Sequence, residues 1–249
     1  MQDSSIESAH ASWKGLFMVG GVATVLIAVV YLITLIVYVP ANLAAPPPAN
    51  VIEWFTIFQQ KPVTAFFFLG LGDILIMILT APMILALYAA LKDTSRTWMA
   101  IATGLTFVGM AVYLATNSAF TMHALSQQYA AAKTGAEQTL IEAAGVAILA
   151  TIEGTGGRYL GLPLVWAASM ITSVVMLRSK FFNKVTAYIG ILGFVFLIIG
   201  VPFATYTSVG TPSAIETAII FLSYFAGGLL SMAWYILVGL RLTRLGRGS

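Results

Sequence analysis

The stretch LRSKFFNKVTAYIGILGFVFLIIGVPFA, residues 177–204, decides the fold. Three basic residues, Arg178, Lys180 and Lys184, come early in it, and residues 185–204 contain no charged side chain. At about 1.5 Å rise per residue, a helix over 185–204 covers a hydrocarbon core roughly 30 Å thick. The stretch therefore predicts a transmembrane helix with a basic loop at one end.

Five further apolar stretches have a comparable length, and together they predict six spans in a single domain, residues 1–249. The predicted spans are 16–39, 63–91, 98–121, 159–177, 185–204 and 214–240. Apolar residues make up 59% of the chain and charged residues only 8%, whereas charged residues are about a quarter of a soluble domain. We therefore predict an all-α polytopic transmembrane helix bundle whose outer surface contacts membrane lipids.

The basic residues are sorted by side of the membrane. If Lys14 is cytoplasmic, eight other basic residues lie on the same side of the membrane. They are Lys92, Arg96, Arg178, Lys180, Lys184, Arg241, Arg244 and Arg247. The positive-inside rule then places both termini in the cytoplasm and predicts a multi-pass protein of a prokaryotic cytoplasmic membrane. The same sorting explains the net charge of +3, so we expect no nucleic-acid partner. We interpret the first apolar run as a retained span and not as a signal peptide.

The segment after the first span predicts a short external helix. Pro46, Pro47 and Pro48 favour an extended linker, and Asn50 followed by Glu53 resembles an N-cap with its reciprocal partner. An amphipathic helix over about 51–60 should follow, with Ile52, Trp54, Phe55 and Phe58 on the membrane interface. We expect this helix to cover the bundle, and a role in gating a substrate is the alternative.

A second external amphipathic helix is predicted over about 139–153, within TLIEAAGVAILATIEG. Counting it as a seventh span would move Arg178 and the basic residues that follow to the external side, which the charge rule disfavours. Glu142 and Glu153 are about three helical turns apart and share one face. The sequence leaves open whether the helix is interfacial or partly re-entrant.

Asp73 is the one acidic residue well inside a predicted span. In a span that begins near Pro62 it would lie about 14 Å deep, where an ionised carboxylate costs at least about 2.5 kcal/mol. Hydroxyl-bearing residues at similar depth are predicted to surround it, and they are Tyr31, Tyr113, Ser169, Thr172, Ser223 and Tyr224. Such a network fits either a protonated packing residue or a proton or cation site.

A second candidate cluster lies on the external side and consists of His123, Glu142, Glu153 and Arg158. An acid, a base and a cation in one region could serve hydrolytic chemistry, but the spacing matches no metal-binding pattern. The alternative is that Glu153 pairs with Arg158 across the glycine break at 154–157, with His123 a bystander.

Cofactor and catalytic patterns are missing from the sequence. It has no cysteine, no serine elbow, no H-E-x-x-H and no phosphate- or dinucleotide-binding glycine loop. His10 and His123 fall on opposite sides of the membrane, so a bis-histidine haem is not expected. We therefore predict no cofactor and no metal.

Glycine-rich helix faces indicate close helix packing, within the chain or with a protein partner or second copy. The glycines concerned are Gly20, Gly21, Gly157, Gly161, Gly190, Gly193, Gly227 and Gly228.

Three stretches taken together resemble a known family. They are Asp73 in its span, ALYAALK at residues 86–92, and MLRSKFFNKVTAYIGIL at residues 176–192. This order is similar to that of a bacterial family of six-span integral membrane proteins catalogued as a domain of unknown function, over about residues 15–205. The resemblance implies an all-helical inner-membrane protein and no catalytic residues. The segment 125–158 is longer than in a typical member.

Three functions are consistent with the sequence. A non-enzymatic accessory subunit or sensor is favoured because no catalytic pattern is present. A small transporter or proton-linked carrier centred on Asp73 is the first alternative, and a lipid-active enzyme that uses the external cluster is the second.

Overall fold

The structure of the chain is a computed structural model. It describes the backbone of residues 2–44, 48–154, 157–207 and 213–248, and the side chains of these residues except 2–12, 38–44, 152–154, 157–158, 202–207, 214 and 217. Every regular element in the described ranges is helical, which confirms the predicted all-α fold. The elements are α1 (Gln2–Ala44), α2 (Val51–Gln60), α3 (Pro62–Phe68), α4 (Leu71–Leu91), α5 (Arg96–Thr116), α6 (Ala119–Ala131), α7 (Gly135–Gly154), a π-helical turn (Gly157–Gly161), α8 (Leu162–Met176), α9 (Lys184–Thr207) and α10 (Ala214–Arg247).

Six helices form a closed ring in which each one packs against the next. The order is α1, α4, α5, α8, α9 and α10, and α10 returns to α1. Six segments are long and apolar enough to cross a membrane: Trp13–Val37, Leu71–Leu91, Arg96–Ala131, Tyr159–Met176, Lys184–Val201 and Ala218–Arg247. The chain is a membrane protein with the six-span architecture predicted from the sequence.

The centre of the ring is a continuous apolar core. Phe194 of α9 meets Trp234 of α10 edge to face at 5.2 Å, and Ile27 and Leu87 reach the same core from α1 and α4. Lipid is as apolar as these side chains, so the bundle depends on close van der Waals packing more than on exclusion of water.

Most of the predicted glycine faces are used inside this bundle. A Cβ on Gly21 of α1 would lie 3.0 Å from the Gly239 carbonyl oxygen of α10, and a Cβ on Gly161 would lie 2.8 Å from the Gly109 carbonyl oxygen. The other packed members of the predicted set are Gly20, Gly190, Gly193 and Gly227. Gly228 has open space around it, so it is the described member of that set that stays available to a partner.

The remaining helices, α2, α3, α6 and α7, form a cap on the side of the bundle opposite the basic loops. The cap has its own apolar core, to which each of the four helices contributes. Its buried residues are Val51, Trp54, Phe55, Phe58, Ala65, Leu69, Ala119 and Met122, with Ile141, Ile148 and Leu149 of α7 packed against them.

Helix α2 has the predicted bounds and the predicted start. The Asn50 side chain accepts a hydrogen bond from the Glu53 backbone N–H at 3.0 Å, and the Glu53 carboxylate accepts one from the Ala49 backbone N–H at 2.8 Å. The apolar face was expected to contact the membrane interface, but Phe55 and Phe58 are 1% exposed. They pack inside the cap because α3, α6 and α7 cover them.

Helix α7 contains the predicted helix 139–153 and starts four residues earlier. It packs beside α6, α2 and the π-helical turn, and it is not among the six spans of the described chain. A Cβ on Gly145 would collide with Val51 and would lie 2.8 Å from the Phe55 ring, so α7 lies closely against the start of α2.

The second and third predicted spans are interrupted, which corrects the predicted continuous helices 63–91 and 98–121. The second breaks at Leu69 and Gly70, between α3 and α4, and the third at Asn117 and Ser118, between α5 and α6. α4 and α5 have 21 residues each, about 30 Å, which already matches the hydrocarbon core. Each break therefore falls about one membrane thickness from the basic loop that joins α4 to α5.

Candidate functional site at the junction of bundle and cap

Asp73 lies in the first turn of α4, directly after the break in the second span. Gly70, the N-cap residue, adopts a left-handed conformation with φ of 91°, which turns the chain from α3 into α4. The spanning helix therefore begins at Leu71, and Asp73 lies near the end of α4 that faces the cap instead of halfway along a continuous helix. The positive end of the α4 dipole favours a carboxylate in this first turn.

Side chains at the end of α5 connect the segments on either side of the two helix breaks by hydrogen bonds. The Tyr113 hydroxyl donates a hydrogen bond to the Asp73 carboxylate at 3.0 Å. One turn further, the Asn117 side-chain amide donates to the Leu69 carbonyl oxygen at 3.1 Å, and its own carbonyl oxygen accepts from the Ala119 backbone N–H. Asn117 thus bonds to the last turn before one break and to the helix after the other.

Because Gly70 has no side chain, it leaves the space in which the side chains of Asp73, Tyr113 and Asn117 approach one another. A Cβ at this position would lie 2.5 Å from the Tyr113 hydroxyl oxygen, 3.2 Å from the Asn117 side-chain nitrogen and 3.5 Å from an Asp73 carboxylate oxygen. Three polar groups from two helices therefore pack directly on the Gly70 Cα. Both the positive φ and this close approach require glycine.

Tyr31 approaches the same region from α1. It interacts electrostatically with Asp73 and Tyr113, and it hydrogen-bonds with the indole N–H of Trp166. Its ring stacks on Tyr235 of α10 at 5.9 Å. Tyr31 and Tyr113 are thus the members of the predicted network that the structure brings to Asp73.

The predicted hydroxyls on α8 are bonded within their own helix. Ser169 donates to the Val165 carbonyl oxygen at 2.9 Å and Thr172 to the Ala168 carbonyl oxygen at 2.8 Å. These bonds satisfy the two buried hydroxyls locally, so they do not extend a network toward Asp73.

Ser223 and Tyr224 of α10 lie against α9. A Cβ on Gly200 would be 3.1 Å from the Ser223 Cβ and 3.4 Å from the Tyr224 ring. Their described role is to pack α10 against α9.

The external cluster predicted from the sequence is described only in part. His123 packs between the rings of Phe58 and Phe66, at 5.5 and 5.2 Å, and its Nδ1 is buried without a hydrogen-bond partner among the described residues. Glu142 is partly buried on α7. The side chains of Glu153 and Arg158, and with them the predicted pair, lie outside the described residues.

The described part of the chain contains no group of three potential metal ligands among His, Asp and Glu. Asp73 with Tyr113 can exchange or share a proton, and its carboxylate can attract a cation. His123 contacts two phenyl rings, so the described geometry gives it no nucleophile to activate.

The candidate residues predicted from the sequence do not include Gly70, Asn117 or Trp166. Two signals could have found Gly70 and Asn117. The apolar run 63–91 is much longer than one crossing needs and contains Gly70 and Gly72, and Asn117 with Ser118 interrupts the next apolar run.

The fold and this junction define a class: a polytopic membrane protein with six spans and a four-helix cap. In comparisons with known proteins, no family model, no curated protein and no solved structure matches the chain. The resemblance to a six-span family therefore stays a prediction, and function is inferred from the geometry of the junction.

Proposed function

We propose that the protein is a non-enzymatic sensor or accessory subunit of the cytoplasmic membrane. In this proposal the cap binds a partner or ligand, and the junction couples the position of the cap to the conformation of the bundle. The observation that carries the proposal is the hydrogen bond from Tyr113 to Asp73 between two helix breaks. Both termini are assigned to the cytoplasm because the basic loops favour that side.

The junction is suited to coupling because its side-chain hydrogen bonds lie where helices of the cap meet helices of the bundle. Asn117 bonds to Leu69 while Asp73 accepts from Tyr113, and both bonds lie where the helical backbone is interrupted. A ligand that favours one position of the cap shifts the population of the bundle state that goes with that position. Such coupling is what a sensor or a regulatory subunit needs.

Spin-label distances test the coupling. The chain has no cysteine, so Thr56→Cys on α2 and Thr97→Cys on α5, both exposed, give one label on the cap and one on the bundle. We expect Tyr113→Phe and Asn117→Ala to broaden or shift the distance distribution in the reconstituted protein. Val108→Ala, on the exposed face of α5, is the matched control and should leave it unchanged.

The proposal fails if the junction variants fold and give the wild-type distance distribution, because the cap would then be held independently of Asp73 and Asn117. Circular dichroism of the same samples establishes that each variant is folded.

A proton-linked carrier centred on Asp73 is the second candidate. It is favoured because interrupted helices bracket Asp73, as they bracket substrate sites in many transporters. In proteoliposomes with an internal pH indicator, a carrier would take up protons under an imposed gradient, and Asp73→Asn would abolish the uptake in folded protein. Flux equal to that of empty liposomes would exclude this candidate.

The third candidate, a lipid-active enzyme that uses His123, Glu142, Glu153 and Arg158, is supported only by the sequence pattern. A homo-oligomer or a protein partner at Gly228 fits the accessory role, and no nucleic acid is expected as a partner.

A further inference from the structure

Helix α7 of the cap exposes an uncharged surface along its central part. Between residues 139 and 151 its exposed side chains are Thr139, Leu140, Ala143, Ala144, Val146, Ala147, Ala150 and Thr151. Leu140 is 73% exposed and Val146 53% exposed. No charged side chain lies among them, since Glu142 is partly buried on the packed side. A surface of this kind is unusual for a helix in water.

The two threonines do not make this surface polar. The Thr139 hydroxyl donates to the Gly135 carbonyl oxygen at 2.9 Å, and the Thr151 hydroxyl donates to the Ala147 carbonyl oxygen at 3.0 Å. Both donors are therefore satisfied within α7, and the face does not need water to bond them.

Helix α2 of the same cap provides the contrast. Its exposed side chains are Ile52, Glu53, Thr56, Gln59 and Gln60, four of which are polar or charged. The two helices pack against each other through Val51, Phe55 and Gly145. The exposed side of α2 is thus suited to water, and the exposed side of α7 is not.

The lengths of α6 and α7 place this uncharged face near the membrane. α6 leaves α5 at Asn117, about one membrane thickness from the basic loop, and α7 returns to the π-helical turn where the next span begins. α6 has 13 residues and α7 has 20, so α7 is about 10 Å longer. The chain reverses between them, where the Glu137 backbone N–H donates to the Thr134 hydroxyl at 3.2 Å. α7 is therefore long enough to reach from this reversal back to the start of the span Tyr159–Met176.

The uncharged face also continues into a surface that lipid covers. α7 ends at Gly154, and the segment that follows opens the span Tyr159–Met176, in which Leu160 is 51% exposed. α7 packs beside the π-helical turn at the start of this span, so its exposed apolar residues lie next to the fourth span.

We infer that α7 lies in the interfacial region of the outer leaflet with its uncharged face, which includes Leu140 and Val146, buried in lipid. The membrane, and not a second protein, covers this face of α7. The opposite side of α7 packs on the cap through Ile141, Gly145 and Ile148, so the uncharged face points away from the cap. The inference is independent of the proposed function, since it concerns neither Asp73 nor the coupling at the junction.

Depth-dependent quenching tests the inference on the full-length protein. Val146→Cys and Thr56→Cys, each the single cysteine of its chain, carry an environment-sensitive fluorophore in phosphatidylcholine liposomes that contain a doxyl-labelled lipid. We expect the label at Val146 to be quenched several-fold more strongly by the doxyl lipid than the label at Thr56. Iodide added to the water should give the reverse order. The two sites lie on the same cap, so mixed orientation in the liposomes affects both equally.

Equal quenching of both labels by iodide would overturn the inference, because α7 would then face water. Protection of the Val146 label from both quenchers would also overturn it, since protein and not lipid would cover α7. Val146→Asp, with Thr56→Asp as control, adds a measurement that needs no label. We expect the first variant to lose thermal stability in liposomes and the second to keep it, and equal stabilities would contradict lipid burial.

Discussion

At the scale of single residues, the bonds around Asp73 link two helices at the points where their spans are interrupted. The carboxylate accepts the Tyr113 hydroxyl, and Gly70 has the backbone conformation that brings both groups together. Because Gly70 and Tyr113 are buried and Asp73 is partly buried, changes at these positions should lower stability.

Substitutions of Asp73 separate size from hydrogen bonding. Asp73→Asn keeps the shape of the side chain and an acceptor for the Tyr113 hydroxyl, so we expect thermal stability close to that of the wild type. Asp73→Leu removes the acceptor and should cost about 1 to 3 kcal/mol. Thermal unfolding in detergent measures both, and Tyr113→Phe in the Leu background should add little. Equal loss in the Asn and Leu variants would show that charge, and not the hydrogen bond, stabilises the junction.

Gly70→Ala tests the close approach at the junction. An alanine Cβ there would lie 2.5 Å from the Tyr113 hydroxyl oxygen, and the φ of 91° adds a cost of about 1 to 2 kcal/mol. We expect a marked fall in the unfolding temperature. Gly104→Ala on α5 is the matched control, because no atom lies within 4 Å of its added Cβ, and it should be neutral or slightly stabilising. A similar unfolding temperature for both variants would contradict the geometry described here.

At the scale of helices, side-chain caps define where the external helices begin. Asn50 caps α2, Thr134 caps α7, and Ser213 with Glu216 forms a capping box at α10. These caps satisfy backbone N–H groups that no preceding turn can bond. Only the cap of α2 was predicted from the sequence, although Thr134 with Glu137 and Ser213 with Glu216 have the spacing of a capping box.

The start of α7 should depend on pH. Hydrogen bonds from the backbone N–H groups of Lys133 and Thr134 lower the pKa of the Glu137 carboxyl below its ordinary value of 4.5. A lowered folded-state pKa gives stability that is present above the unfolded pKa and is lost as the pH falls through the folded pKa. We expect amide protection of residues 135–139 to fall in acid below about pH 4.3. Glu137→Gln should show weaker protection at neutral pH and no such acid transition, and an acid transition that persists in Glu137→Gln would assign it to another group.

The element types could be predicted from hydropathy and length, whereas hydropathy alone did not reveal the breaks inside spans. The run 63–91 contains no charged residue except Asp73, and its mean hydropathy does not distinguish one long helix from two shorter ones, although its excess length and its glycines are compatible with a break. The break at Gly70 depends on Tyr113 and Asn117, which are distant in sequence and become neighbours only after the helices pack. The continuous helix predicted around Asp73 was wrong for this reason, while the hydrogen bond between Tyr113 and Asp73 joins two members of the network predicted from matched depth in adjacent spans.

At the scale of the whole molecule, the two ends of the helix bundle differ in charge and in structure. One end carries the loops with nine of the twelve basic residues, including Lys92, whose ammonium group lies 5.0 Å from the Trp13 ring. The other end carries the cap and three basic residues, Lys61, Lys133 and Arg158. This asymmetry makes the orientation of the chain in the membrane a definite expectation.

Topology mapping tests that orientation. In intact cells, single cysteines at 93–96, 179–183 and 245–248 should resist a membrane-impermeant maleimide, and cysteines at 48–60 and 125–140 should react. The physical reason is that moving the basic end across the membrane would place Arg178, Lys180 and Lys184 outside together with the ends of α1 and α10. Thr97→Cys and Thr56→Cys, both exposed in the structure, are the matched pair for the two ends. Labelling at 245–248 without labelling at 93–96 would mean an odd number of crossings between them, which would make α7 a seventh span. Labelling at both of these segments with protection at 48–60 would mean that the whole ring is inverted.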